Sequence, residues 1–316
     1  MLHNIKHPYL SVVVPFYNEV ESIKPLWQVL KSALDAYGKS YEVIFVDDGS
    51  TDGTRDIMRD LAAIHPELRI ILFRANFGQS AAMAAGFEKT RGHVVVAMDG
   101  DLQNDPNDIG RIVDKLDKGY DVVSGWRKNR QDKIVSRKIP SKIANRIICS
   151  VTDVKLHDTG CSLKAFRGDL LRRISLYGEF HRFIPALLRM EGAQITEMPV
   201  QHHARKFGTS KYNISRTFRV IMDLTTIRLL MVHLHNPLSF FAKFSALTGL
   251  AGFAALGTAL YQLLSKTANV DIINISITMT VLLWSASFMF MSLGLVGKLV
   301  VGSGERRSFS YDSVIQ

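Results

Sequence analysis

Val94-Val95-Val96-Ala97-Met98-Asp99-Gly100-Asp101-Leu102-Gln103 is an apolar strand that runs directly into an acidic pair split by glycine. Such a pair at the end of a buried strand does not serve an apolar core. In extended backbone, alternate residues project to one side, so Asp99, Asp101 and Gln103 present two carboxylates and an amide oxygen together. Hard oxygen donors of this kind suit a divalent cation such as Mg²⁺ or Mn²⁺ that bridges a nucleotide diphosphate. A solvated acidic loop is the simpler alternative, and the surrounding chain decides between them.

Upstream, strand-like and helix-like runs alternate: strands at Leu10–Pro15, Tyr41–Val46, Leu68–Phe73, His93–Met98 and Asp121–Ser124. Helices are expected from about Glu19 to Tyr37, from an N-cap at Thr51 or Asp52 to Ile64, over Gln79–Thr90 and over Pro106–Lys118. This alternation predicts an α/β domain with a mostly parallel sheet covered on both faces. Ligands of such sheets lie at the carboxyl ends of the strands, where Asp48, Asp99 and Asp101 all fall. Downstream, Ser162–Phe166 and Ile195–Val200 read as further strands with a helix near Phe183–Met190, and 204–212 reads as a basic loop.

Composition changes sharply after residue 236. The charge-free run Phe244–Ser265 would be about 33 Å long as a helix and Ile272–Gly297 about 39 Å, against a bilayer core of ~30 Å. Two such runs separated by six residues predict a transmembrane hairpin over 237–301, with spans at about 244–265 and 272–297. Arg216, Arg219, Arg228 and Lys243 precede the first span and Lys298, Arg306 and Arg307 follow the second. The positive-inside rule puts both termini, the large domain and the 302–316 tail in the cytosol, with the short connection outside. The N-terminus has no apolar signal region. Residues 213–236 interleave Ile214, Phe218, Ile221 and Leu224 with arginines, the pattern of an amphipathic helix in the membrane interface.

The net charge of +10 fits anionic headgroups; no nucleic-acid motif is present, and no nucleic-acid partner is expected. Cys149 and Cys161 lack zinc-ligand spacing and are expected as reduced cytosolic thiols. The Gly-rich dinucleotide loop and the P-loop are both absent, and a nucleotide diphosphate held by a metal instead of a glycine loop is consistent with that. Arg127, Arg137, Arg205 and Lys211 are candidate phosphate contacts. Ser245, Gly249, Gly252, Ala255 and Ala259 allow close helix approach, either within the hairpin or between subunits, so a homo-oligomer is one expectation.

The chain resembles the polyprenyl-phosphate glycosyltransferases of glycosyltransferase family 2, the group that contains dolichol-phosphate mannose synthases and bacterial bactoprenol glucosyltransferases. Eight ordered blocks carry the resemblance: VVVPFYNE (12–19), VDDGSTDGT (46–54), NFGQSAAMAAG (76–86), MDGDLQNDP (98–106), SGWR (124–127), SRKIPS (136–141), DTGCSLKAFR (158–167) and HARKFGTSKY (203–212). It implies a GT-A catalytic domain over 1–212, followed by the interfacial helix and the hairpin. It further implies that Pro15, Tyr17, Glu19, Asp48, Asp99 and Gly100 bind the nucleotide sugar and that Asp99, Asp101 and Gln103 hold the metal. Arg127, Arg205 and Lys211 would contact the donor diphosphate, and Arg137 and Ser141 the lipid phosphate, which makes Asp101, Arg127 and Arg137 the catalytic set. Trp126 stands where the family commonly has a small or hydroxyl residue, and the QxxRW block of processive synthases is absent.

The implied activity is inverting transfer of one hexose from a nucleotide-diphospho-sugar to polyprenyl (undecaprenyl or dolichyl) phosphate at the cytosolic face of a bacterial-type inner membrane. The hairpin-anchored branch makes UDP-glucose the first expected donor, followed by UDP-N-acetylglucosamine and GDP-mannose. Transfer to another lipid such as diacylglycerol, or a non-catalytic nucleotide-sugar-binding membrane subunit, are the competing readings.

Overall fold

The computed structural model describes residues 7–128, 149, 154–174, 176, 178, 180–204, 237–265 and 270–304. The chain divides into two compact units, Met1–Thr225 and Thr226–Gln316.

The first unit is built on a seven-stranded sheet. Its elements are β1 (Leu10–Phe16), α1 (Ile23–Tyr37), β2 (Tyr41–Asp47), α2 (Thr54–Ile64), β3 (Leu68–Leu72), α3 (Gln79–Glu88), β4 (Val94–Ala97), α4 (Asp108–Leu116) and β5 (Val122–Trp126). After them come β6 (Lys164–Arg167), the single turn α5 (Gly168–Leu171), a 3₁₀ turn (Phe180–Phe183), α6 (Ile184–Met190) and β7 (Ile195–Pro199). The strand order is β3-β2-β1-β4-β6-β5-β7. β1 pairs in parallel with both β2 and β4, β2 with β3, and β5 with β7. β6 alone runs antiparallel, between β4 and β5. Because β1 is flanked by β2 on one side and β4 on the other, the chain changes direction across the sheet there, and the loops after these strands share one crevice.

Side chains alternate between two cores. Val12, Val14, Phe45 and Val96 face α1 and α4, whereas Val13, Ile44, Val46 and Val95 face α3. The small residues of α3 follow from its closeness to the sheet: a Cβ at Gly86 would collide with the Val13 side chain. Helix α1 starts at Ile23, four residues after the expected Glu19. The reason is local: Asn18 has a positive φ of 52°, and the Glu19 amide donates to Thr54 Oγ1 at 3.0 Å. Asp52 Oδ1 accepts from the Thr54 amide at 3.0 Å and so supports the start of α2.

The second unit is a helical hairpin, α7 (Pro237–Ser265) and α8 (Val270–Gly304). Both helices are long and apolar enough to cross a membrane, and large apolar side chains such as Leu250, Phe288 and Leu299 face outward. The small residues Ser245, Gly252 and Ala259, spaced by seven, are buried against α8. Ser287 Oγ donates to the Ser245 carbonyl at 2.8 Å, and Gly252 lies against the Trp284 ring, where a Cβ would collide. Of the two uses the sequence left open for this face, these residues serve the seam within the hairpin. The interfacial helix expected at 213–236 lies outside the described residues.

Candidate active site

Three loops meet at the carboxyl ends of β1, β2 and β4. Asp47, fully buried at the end of β2, accepts from the Ser50 amide at 3.2 Å and from Arg55 Nε at 2.6 Å. This folds residues 47–50 into a turn in which Gly49 has a φ of 78° and touches the Ala75 backbone so closely that a Cβ would collide. Asp48 accepts from the backbone amides of Phe77 at 2.7 Å and Gly78 at 2.9 Å. The Asp48 carboxylate, expected among the nucleotide-sugar-binding residues, therefore already anchors the loop that starts α3. Burial pushes its proton affinity up, and the two amides offset this only in part. The loop after β1 is tied on beside it: the Asn18 amide donates to Ser50 Oγ at 2.8 Å, and Asn18 Oδ1 accepts from the Thr51 amide at 2.9 Å. Pro15, Tyr17 and Glu19 are half-buried along this edge.

The acidic loop follows β4. Asp99 accepts from Gln79 Nε2 at 2.7 Å and from the Ser162 hydroxyl, which itself accepts from Asn104 Nδ2 at 2.7 Å. Burial, and next the charge of Asp101, raise the proton affinity of Asp99; Ser162, Lys164 and Arg127 oppose them. Asp101 is buried and accepts from the Gln103 amide at 3.1 Å, in a turn that gives Leu102 a φ of 59°. Gly100 is required here because a Cβ would come within 2.5 Å of the Phe16 ring. The Gln103 carbonyl accepts from the His203 amide at 2.8 Å, and Asn104 and His202 form an antiparallel bridge, which brings the segment before Arg205 to the acidic loop.

Asp99 and Asp101 offer the hard donors a divalent cation takes, and a cation between them would offset the repulsion that the Asp101 charge exerts on Asp99. Among the described residues no three His, Cys, Asp or Glu side chains come together as a metal cluster, so a third protein donor would be a different group, such as the Gln103 amide oxygen.

Arg127 follows β5 and is paired with Asp158, Nε to Oδ2 at 2.6 Å and Nη2 to Oδ1 at 2.9 Å. Lys164, buried on β6, donates to the carbonyls of Thr159 and Cys161. Burial of the Cys161 thiol pushes it up to about 11, which keeps it protonated and unreactive. Arg137, Ser141, Arg205 and Lys211 lie outside the described residues. Gln79, Asn104, Asp158, Ser162 and Lys164 carry this site's hydrogen-bond network, yet the sequence reading assigned them no role. Their only linear signal is that all five fall inside the blocks 76–86, 98–106 and 158–167.

Residues 11–175 match the family described as Glycosyl transferase family 2. A dodecaprenyl-phosphate galacturonate synthase from Rhizobium johnstonii is 47% identical over 251 residues, covering 78% of this chain and 74% of the relative. An undecaprenyl-phosphate 4-deoxy-4-formamido-L-arabinose transferase from Edwardsiella ictaluri is 37% identical over 248 residues, with 78% and 74% covered. Among solved structures, glucosyl-3-phosphoglycerate synthase from Mycobacterium tuberculosis, in complex with Mn²⁺, UDP and phosphoglyceric acid, superposes with a TM-score of 0.54. It is 19% identical and covers 71% of this chain and 78% of its own. That likeness identifies the fold as GT-A.

Proposed function

This chain belongs to glycosyltransferase family 2 and is a glycosyltransferase, and from that premise we propose that it moves a single sugar from a nucleotide-diphosphate donor to a polyprenyl phosphate. The observation that carries this reading is the 47% identity to a dodecaprenyl-phosphate galacturonate synthase over 78% of the chain. The two apolar helices supply the membrane attachment such an acceptor requires. The same relative favours galacturonate as the sugar over the glucose expected from the hairpin-anchored branch.

In this reading a phosphate oxygen of the acceptor attacks the anomeric carbon, and the bond from that carbon to the nucleotide diphosphate breaks with inversion. A phosphate monoester has a second pKa of about 6, so it is largely dianionic at neutral pH and needs no protein base. The chain's task is to hold two anions together. Asp99, Asp101 and Gln103 would bind a Mg²⁺ or Mn²⁺ ion, whose charge stabilises the leaving diphosphate. Arg127, Arg205 and Lys211 contact the donor phosphates, Arg137 and Ser141 the lipid phosphate, and Pro15, Tyr17, Glu19, Asp48 and Gly100 line the nucleotide-sugar pocket. Anchoring confines the search for acceptor to the membrane plane, with the catalytic unit and both termini on the cytosolic side.

The test is the full chain in vesicles containing undecaprenyl phosphate and diacylglycerol, with UDP-galacturonate, UDP-glucose, UDP-N-acetylglucosamine and GDP-mannose offered singly and the lipid products read by mass spectrometry. A glycosylated polyprenyl phosphate is expected, and Asp101→Ala should abolish it while the protein stays folded and membrane-bound. Sugar on diacylglycerol instead would overturn the acceptor assignment, and normal turnover by Asp101→Ala would overturn the metal assignment.

A further inference from the structure

Arg127 presents its guanidinium side-on to Asp158, with Nε and Nη2 both turned to that carboxylate and the Arg127 backbone amide 3.3 Å from Oδ2. Among the described residues Asp158 is the only hydrogen-bond partner of this guanidinium. Five N–H donors lie in one plane, so this side-on pairing leaves Nη1 and the outer Nη2 hydrogen as a second fork of the width a phosphate accepts. Both side chains are largely shielded, at 13% and 12% exposure, so the guanidinium keeps the one orientation the carboxylate sets.

The loop that carries Asp158 is itself fixed. Lys164 Nζ donates to the carbonyls of Thr159 and Cys161, on either side of Gly160. A Cβ at Gly160 would stand 3.2 Å from Arg127 Nη2, so glycine keeps the approach open. On the other flank His157 stacks on Trp126 with ring centroids 4.4 Å apart, and its amide donates to Glu197 Oε2 at 2.7 Å. Among the described residues Asp158 accepts hydrogen bonds from Arg127 and the Gly160 amide and none from the acidic loop, whereas the charges of Arg127 and Lys164 both act on Asp99.

We infer that Asp158 is a positioning residue, which turns the free fork of Arg127 toward the anionic substrate gathered beside Asp99. This rests on the sugar-transfer reading above. The experiment is a cycle of Asp158→Asn, Arg127→Met and the double variant, in the full chain in vesicles. Its readouts are kcat and KM for each substrate, together with the Kd of UDP in the presence of Mg²⁺.

Acting through Arg127, Asp158→Asn should lower kcat/KM by about 10- to 100-fold in the wild-type background, the cost of a misplaced substrate contact. In the Arg127→Met background it should add less than about 2-fold, since coupled residues are non-additive. An equal loss in both backgrounds would show a merely structural role and overturn the proposal, as would an Asp158→Asn variant with wild-type rates and UDP affinity. Should Asp158→Asn fail to fold, the double variant, which buries neither charge, decides against Arg127→Met alone: equality supports the proposal and a further drop overturns it. A wild type that binds UDP but forms no glycolipid would defeat the functional reading only, because coupling in the UDP affinity then judges Asp158 separately.

Discussion

Asp158 sets a balance between two opposing forces at one carboxylate. Burial pushes its proton affinity up, but the hydrogen bonds and charge of Arg127 pull harder, and it titrates below the usual carboxylate range. A folded-state value below the unfolded one, about 3.9, means the stabilisation is complete above that pH and is lost as pH falls through the folded value. Breaking one side of a buried pair strands the other charge, so Asp158→Asn should lower stability by about 3 kcal/mol at pH 7. Thermal melts from pH 7 to pH 3 should show the gap between wild type and variant narrowing below about pH 4. Gly49 poses a different demand at the same scale. Its φ of 78° and its contact with the Ala75 backbone leave no room for a side chain. Gly49→Ala should cost about 1–3 kcal/mol, measured by denaturant unfolding, and should loosen the turn beside Asp48.

At the scale of elements, apolar runs and their breaks were legible because they are local properties. β1, β2 and β4 end within a residue or two of where Pro15, Val46 and Met98 suggested. The direction of β6 was not legible. An alternating apolar strand reads the same in either sense, and β6 finds its places beside β4 and β5 through contacts far apart in the chain. The small-residue face of α7 is a similar case: composition showed that a close approach was possible, and only the paired helices show with what. Gly252→Leu should force α7 away from Trp284 and disrupt the Ser245–Ser287 bond ten ångströms or so along the seam, by about 1.5 Å of rise per residue. The expected result is a lower unfolding temperature in detergent, whereas Leu247→Ala, on the outward face, should leave it unchanged.

At the scale of the whole molecule, the prediction concerns topology. By the positive-inside rule, the basic flanks at Lys243 and at Lys298, Arg306 and Arg307 would place both ends of the hairpin on one side. In intact spheroplasts Thr267→Cys should react with a membrane-impermeant maleimide, and Ser310→Cys should react only after permeabilisation. The reverse pattern would invert the orientation and separate the catalytic unit from cytosolic nucleotide sugars. What the sequence by itself determined is the alternation that builds the sheet, the acidic pair where β4 ends and the length of the two apolar runs, because each is written in neighbouring residues. What only the tertiary structure decided is who holds whom. Gln79 and Ser162 hold Asp99, the amides of Phe77 and Gly78 hold Asp48, and Asp158 holds Arg127 from 31 residues away. Those partnerships arise when separate loops are brought to one edge of the sheet, where burial makes each unpaired charge costly enough to choose its partner.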